Sequence, residues 1–170
     1  MQVAARLHSF TGGLRENMVP ESATAVVSGD LADLQSKLDT FVAEHKLRGE
    51  IQEEAGQYKV TIIGKSARCY ACFRCQWCDL PSLFLSQFDF AGPAKDYLDI
   101  AGKILLNDHE GESLKIAHVD EKMGALSMNA GVFRFDETSA DNTIALNIRY
   151  PKGTSPEQIK SVLKLASCFC

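Results

Sequence analysis

Four cysteines stand at three-residue intervals, Cys69, Cys72, Cys75 and Cys78, and no other residues of this chain suggest chemistry so directly by type and spacing. Thiolates are soft ligands, and a Cys-x-x-Cys step brings two sulfurs within reach of one iron or zinc. In detail the ladder departs from such ligand loops. A bacterial cluster run has three residues in its last gap and proline after it, whereas here the gap is two and Asp79 follows Cys78. A structural zinc site splits its ligands into two well-separated pairs, and the even ladder lacks that separation. A small iron–sulfur or zinc protein using these four thiolates is one reading of the block.

The composition around the ladder argues for another reading. The 22 positions of 68–82 and 164–170 hold all six cysteines and the one tryptophan, Trp77. The rest is an ordinary globular sequence, and the chain as a whole is 24% charged, 45% hydrophobic and carries a net charge of −4. It has no basic stripe for nucleic acid and no apolar run long enough for a membrane span. Met1 is followed by Gln-Val-Ala-Ala-Arg, which lacks the apolar stretch of a secretory leader, so a cytoplasmic location with reduced thiols is expected.

The elements that must position any site follow from periodicity. Residues 23–28 read as a strand. Ser28-Gly29-Asp30 offers caps for a helix with Leu31, Leu34, Leu38, Phe41 and Val42 on one face, stopping at Gly49. Residues 50–54 and 58–63 alternate around Ala55-Gly56-Gln57 as a hairpin. Residues 83–90 and 95–106 read as helices joined at Gly92-Pro93, and 107–112 as a loop. Residues 125–135 and 143–150 read as paired strands, and Ser155-Pro156 starts a helix whose apolar face is Ile159, Val162 and Leu163 until the tail changes character at Lys164. This order is α+β: antiparallel sheets covered by helices in two ferredoxin-like halves, 1–106 and 107–170, the second lacking its last strand.

Three segments carry a resemblance. They are 10–23 (Phe-Thr-Gly-Gly-Leu-Arg-Glu-Asn-Met-Val-Pro-Glu-Ser-Ala), 58–67 (Tyr-Lys-Val-Thr-Ile-Ile-Gly-Lys-Ser-Ala) and 144–151 (Ile-Ala-Leu-Asn-Ile-Arg-Tyr-Pro). Together they are similar to the lid domain of PepV-type bacterial dipeptidases, members of the zinc aminoacylase and carboxypeptidase superfamily, and the likeness runs over everything outside the two cysteine blocks. The resemblance implies a monomeric enzyme in which a catalytic part carries two zinc ions and a lid of two ferredoxin-like halves closes over a dipeptide; this chain resembles the lid. It implies that Asn17 and Arg149 face the substrate, the asparagine near the metal-bound group and the arginine on the terminal carboxylate. A planar guanidinium suits that task because it can hold a carboxylate through two parallel hydrogen bonds. Read without the resemblance, Asn17 is a turn residue and Arg149 an exposed strand arginine.

In the resembling family, Ser-Ala is followed by a histidine that helps polarise the scissile carbonyl. Here Arg68 stands at that position, with Cys69 after it. One synonymous encoding of 68–82, with two bases placed before it, reads His-Gly-Ala-Met-Pro-Ala-Ser-Gly-Val-Asn-Gly-Ala-Thr-Tyr-Leu-Ala, the sequence the family leads one to expect. The tail from Lys164 behaves the same way: two added bases give Glu-Asn-Leu-Pro-Pro-Val-Ser. Two blocks restored by one offset make a frame slip the simpler source of the ladder.

Other tempting groups read as surface. His118 and Asp120 copy the His-x-Asp of a zinc site but run on into Glu121-Lys122-Met123, and Glu53-Glu54 mimics a catalytic glutamate pair at the end of a hairpin strand. His8, His45 and His109 have no partners at ligand spacing. Three functions from different classes stand: a truncated, frame-damaged lid of a zinc dipeptidase, inactive by itself and with zinc belonging to the intact parent; a metal protein built on the ladder; and a non-catalytic module that self-associates through sheet edges. The first is preferred.

Overall fold

The computed structural model describes residues 5–18, 20–31, 33–64, 80–106, 108–153 and 155–167. Arg68, the four cysteines of the ladder and the two cysteines of the tail lie outside the described residues.

Six strands form one antiparallel sheet. In chain order the elements are β1 (Arg6–Gly12), β2 (Ser22–Ser28), α1 (Leu34–His45), β3 (Arg48–Glu54), β4 (Gln57–Ile63), α2 (Leu80–Leu85), α3 (Pro93–Asp99) running into a π-helical turn (Ile100–Ile104), β5 (Val119–Asp120), β6 (Gly124–Ala125), β7 (Ser127–Asp136), β8 (Thr143–Arg149) and α4 (Pro156–Ser167). The large sheet runs β3-β4-β2-β1-β7-β8, and β5 with β6 makes a two-stranded ribbon. The α+β class and the antiparallel pairing agree with the sequence pattern.

Strand β1, absent from the periodicity reading, holds the centre. It pairs with β2 on one side and with β7 on the other, so the strands from the two ends of the chain meet across it. Its pattern was concealed by a bulge between Leu7 and Ser9, which puts the buried residues Leu7 and Phe10 three positions apart instead of two. Phe10 is fully buried and meets Tyr97 and Phe133 edge to face, with ring centroids 6.2 and 6.0 Å away.

Helix α1 buries Leu34, Leu38 and Phe41, the i, i+4, i+7 stripe that amphipathic packing on a sheet requires. Its ends differ from expectation. Ser28-Gly29-Asp30 does not cap it; Asp33 takes that place in a left-handed conformation, without a side-chain cap bond. Gly49 does not stop it either. The helix closes at Lys46, also left-handed, whose amide reaches back to the Ala43 and Val42 carbonyls, and Gly49 lies within β3. A Cβ at Gly49 would come within 2.9 Å of Val42 and 3.1 Å of Leu38, so the glycine lets strand and helix approach. The hairpin turn Ala55-Gly56 has φ of 52° and 78°, the doubly left-handed pair of a two-residue hairpin.

Helix α2 spans 80–85 rather than 83–90, and the second expected helix starts at Pro93 and changes to π geometry at Ile100. The change brings the backbone of Gly102 so close to α2 that a Cβ there would lie 3.0 Å from the Ser82 carbonyl carbon. Asp99 accepts from Lys95 and Lys103 one turn away on either side. The helix at the chain's end begins as expected: the Gln158 amide donates to Ser155 Oγ at 3.1 Å and the Ser155 amide to Gln158 Oε1 at 3.3 Å, a reciprocal capping box. It continues through 164–167, past the expected change at Lys164.

Because Phe10 closes the core from the joining strand, Phe10→Ala is expected to cost about 3–5 kcal/mol. Urea unfolding followed by circular dichroism checks this; a loss below 1 kcal/mol would contradict the central placement of β1.

Candidate functional site

All helices with described packing cover one face of the sheet, and the candidate site lies on the other. Along β7 and β8 the residues Phe133, Phe135, Ile144 and Leu146 turn toward the core. Strand alternation therefore sends Val132, Arg134, Thr143, Ala145, Asn147 and Arg149 to the helix-free face.

The loop between β1 and β2 folds over this face because two glycines and one asparagine leave it no other path. Gly13 has φ of +73°, and a Cβ there would stand 1.9 Å from the Gly131 carbonyl oxygen. Gly131 occupies a bulge in β7 between Ala130 and Val132, and its own Cβ would fall 2.2 Å from the Glu16 carbonyl oxygen. Loop and bulge thus pack backbone to backbone. Asn129, buried, ties them together: its side-chain amide donates to the carbonyls of Glu16 at 3.1 Å and Met18 at 3.3 Å.

Between loop and strands opens a groove of about 670 Å³, lined by Leu14, Arg15, Glu16, Asn17, Val132, Arg134, Thr143, Ala145 and Asn147. Its floor is apolar at Val132 and Ala145, and its polar groups are two carboxamides, the Thr143 hydroxyl and two guanidinium groups against one carboxylate. Asn17 lines it, as an exposed turn residue. Arg149 is outside the lining but on the same face, two residues beyond Asn147, and it already makes an interaction within the chain. Asn129, Gly131, Arg134 and Asn147 were not singled out in the sequence. The one legible signal was Asn-Ala-Gly inside a strand pattern, where a glycine marks a bulge or a close backbone approach.

The groups read as surface fall into two sets. Glu53 and Glu54 are exposed at the hairpin end, and Asp120 accepts from the amides of Lys122 and Met123 in the β5–β6 turn, which holds its carboxyl below the usual range. His118 contacts the Lys152 carbonyl at 3.3 Å, and His45 stacks on Phe41. His8 differs from expectation. It sits at the β1 bulge with Nδ1 2.5 Å from Glu137 Oε1 and Nε2 2.7 Å from Ser28 Oγ, while Arg6 donates to the other Glu137 oxygen at 2.6 Å. The bulge that hid β1 also hid this cluster, which clasps β1, β2 and the end of β7. Among the described residues no three histidines, cysteines or acids gather as a metal donor set.

No family model matches the chain. Among curated proteins it is 31% identical over 160 residues to the Beta-Ala-Xaa dipeptidase of Lactobacillus delbrueckii subsp. lactis, a match covering 92% of this chain and 34% of that protein. The chain is similar to dipeptidases over nearly its whole length. A provisionally named dipeptidase of Bacillus subtilis, YtjP, is 30% identical over 169 residues, covering 97% of this chain and 36% of its own. One of Staphylococcus haemolyticus is 28% identical over 158 residues, covering 86% and 32%. The chain spans about a third of the length of the relatives it matches. No described helix is long and apolar enough to cross a membrane.

Two predictions follow from the geometry. Asn129→Ala leaves two carbonyls of the loop without their donor and is expected to cost about 1–3 kcal/mol, with faster proteolysis between Gly13 and Met18. His8 first, and then Arg6, hold the Glu137 carboxyl below its ordinary value of 4.5. That stabilisation is present above pH 4.5 and is lost as pH falls through the lower folded value, so Glu137→Gln should lower the thermal midpoint at neutral pH by an amount that shrinks as the solution is acidified below pH 4.5. Thermal melts of both chains across that range check it.

Proposed function

We propose that this chain is the substrate-covering part of a cytoplasmic zinc-dependent dipeptidase and that it does not hydrolyse peptides by itself. The observation that carries the reading is the groove on the helix-free face. It offers carboxamides at Asn17 and Asn147 for a peptide unit and an apolar floor for a small side chain, and Arg149 follows Asn147 on the same face of β8. The similarity to proteins named dipeptidases over 86–97% of the chain supports it.

The described residues do not fit a zinc site, since no donor set of three is gathered among them. Zinc, with the chemistry of activating water or polarising a carbonyl, belongs in this reading to the remaining two thirds of the parent. The contribution of this chain is binding and closure. Asn17, on a loop fixed by Asn129 and Gly131, hydrogen-bonds the substrate from above, and Arg149 holds its terminal carboxylate. Rigid placement of a loop residue in this way is what converts binding into orientation. The frame slip belongs to the same proposal: with two bases restored before codon 68, Arg68 becomes the histidine that would join Asn17 over the scissile bond.

A chimera tests the reading. The chain replaces the matching third of the Lactobacillus delbrueckii enzyme, once as it stands and once restored, with 68–82 exchanged for the shifted-frame sequence that begins with histidine and the frame of 83–163 kept. The restored chimera is expected to hydrolyse dipeptides in zinc, and Asn17→Ala in it to lower kcat/KM by about 10²-fold. The unrestored chimera is expected to be inactive. Stoichiometric iron or zinc in the separate 170-residue chain, with Cys69, Cys72, Cys75 and Cys78 unreactive toward thiol reagents, would favour the ladder instead.

A further inference from the structure

The groove that holds Asn17 stops short of Arg149. Arg134 on β7, paired across the sheet with Thr143 on β8, lines it on the side away from Arg149, and Arg15 and Glu16 enter from the loop. Among the described residues no carboxylate lies within ion-pair distance of Arg134 or Arg15. Both guanidinium groups therefore face the groove's solvent with their donors uncommitted to an acid. Thr143 and Arg149 are six residues apart on one strand, roughly 20 Å. Two long arginine side chains rooted that far apart on the same face can close on the two ends of one small ligand, with the carboxamides of Asn17 and Asn147 between them.

We infer that Arg134 is a specificity-determining anchor for a second carboxylate, so that the site favours dipeptides with an acidic side chain. The inference rests on the dipeptide reading above and deepens it. One arginine, Arg149, takes the terminal carboxylate that every dipeptide has. The other takes a carboxylate that only an aspartyl or glutamyl residue supplies, through the planar fork that matches its two oxygens. Arg15 adds positive potential from the loop, whose path is set by Gly13 and Gly131, and Glu16 beside it is the one carboxylate of the lining. A neutral amide in place of the acid can accept a hydrogen bond from Arg134 or Thr143, but it brings no charge and no second oxygen for the fork.

Titration of the whole ¹⁵N-labelled chain with Ala-Glu and with Ala-Gln, followed by NMR, tests this. Both are expected to shift the side-chain amides of Asn17 and Asn147, and Ala-Glu to bind about tenfold more tightly, the size of one charge-assisted hydrogen-bonded contact. Arg134→Gln, at an exposed position, should abolish the preference by bringing Ala-Glu down to the level of Ala-Gln; Arg149→Gln should weaken both ligands alike. Circular dichroism of each variant confirms that it is folded. Equal binding of the two dipeptides, or an Arg134→Gln chain that still prefers Ala-Glu, overturns the role of Arg134 and leaves the dipeptide reading standing. Failure of both ligands to move Asn17 or Asn147 overturns both.

Discussion

Everything in this chain depends on β1 being paired on both edges. The strand joins β2, β4 and β3 on one side to β7 and β8 on the other, and without it the sheet separates into a three-stranded piece and a two-stranded one too small to persist alone. Phe10 plugs the core from its middle. Its bulge places His8 in the clasp with Glu137 and Ser28, and its last residue, Gly12, opens into the loop that carries Asn17. One seven-residue strand thus joins the two ends of the chain and aims the site.

The site inherits its geometry from that joint. Asn17 comes from the start of the chain, and Arg134, Asn147 and Arg149 come from near its end; they share a face only because β1 lies beside β7. The fine placement belongs to a second close contact, where Gly13 and Gly131 bring two backbones to a separation no side chain could tolerate. Asn129 supplies hydrogen-bond donors to carbonyls that this approach would otherwise bury unpaired. Helices occupy one face of the sheet and half-buried polar residues the other, with Thr24 and Thr61 hydrogen-bonded across neighbouring strands. A sheet face of that character suits a surface that closes over something polar.

Regular periodicity was legible, and departures from it were not. Tyr58, Val60 and Ile62 alternate cleanly and gave the hairpin; Leu34, Leu38 and Phe41 gave α1; Ser155 with Gln158 gave the start of the last helix. Where the chain bulges, the signal misleads: Leu7 and Phe10 stand three apart, a helical rather than a strand spacing, so β1 and the clasp at His8 went unread. Gly56 and Gly92 were legible as turn and joint, but Gly49 was misassigned, since it serves close packing inside a strand rather than a helix end. Of the site, Asn17 and Arg149 came from the resemblance. Arg134, Asn147 and Asn129 could be found only once the register of β7 on β8 was known, because nothing local distinguishes a strand arginine that lines a groove from one that meets solvent.

The central claim, that a dipeptidase lid has been carried into this chain with its frame disturbed, is tested most directly at the gene. Genomic DNA sequenced across codons 60–90 and a kilobase to either side is predicted to contain two bases before codon 68 that restore a histidine there, with a compensating base after codon 82, or flanking sequence that encodes the remaining two thirds of a dipeptidase. An intact frame as written, under its own promoter and with no peptidase sequence on either side, would contradict the account.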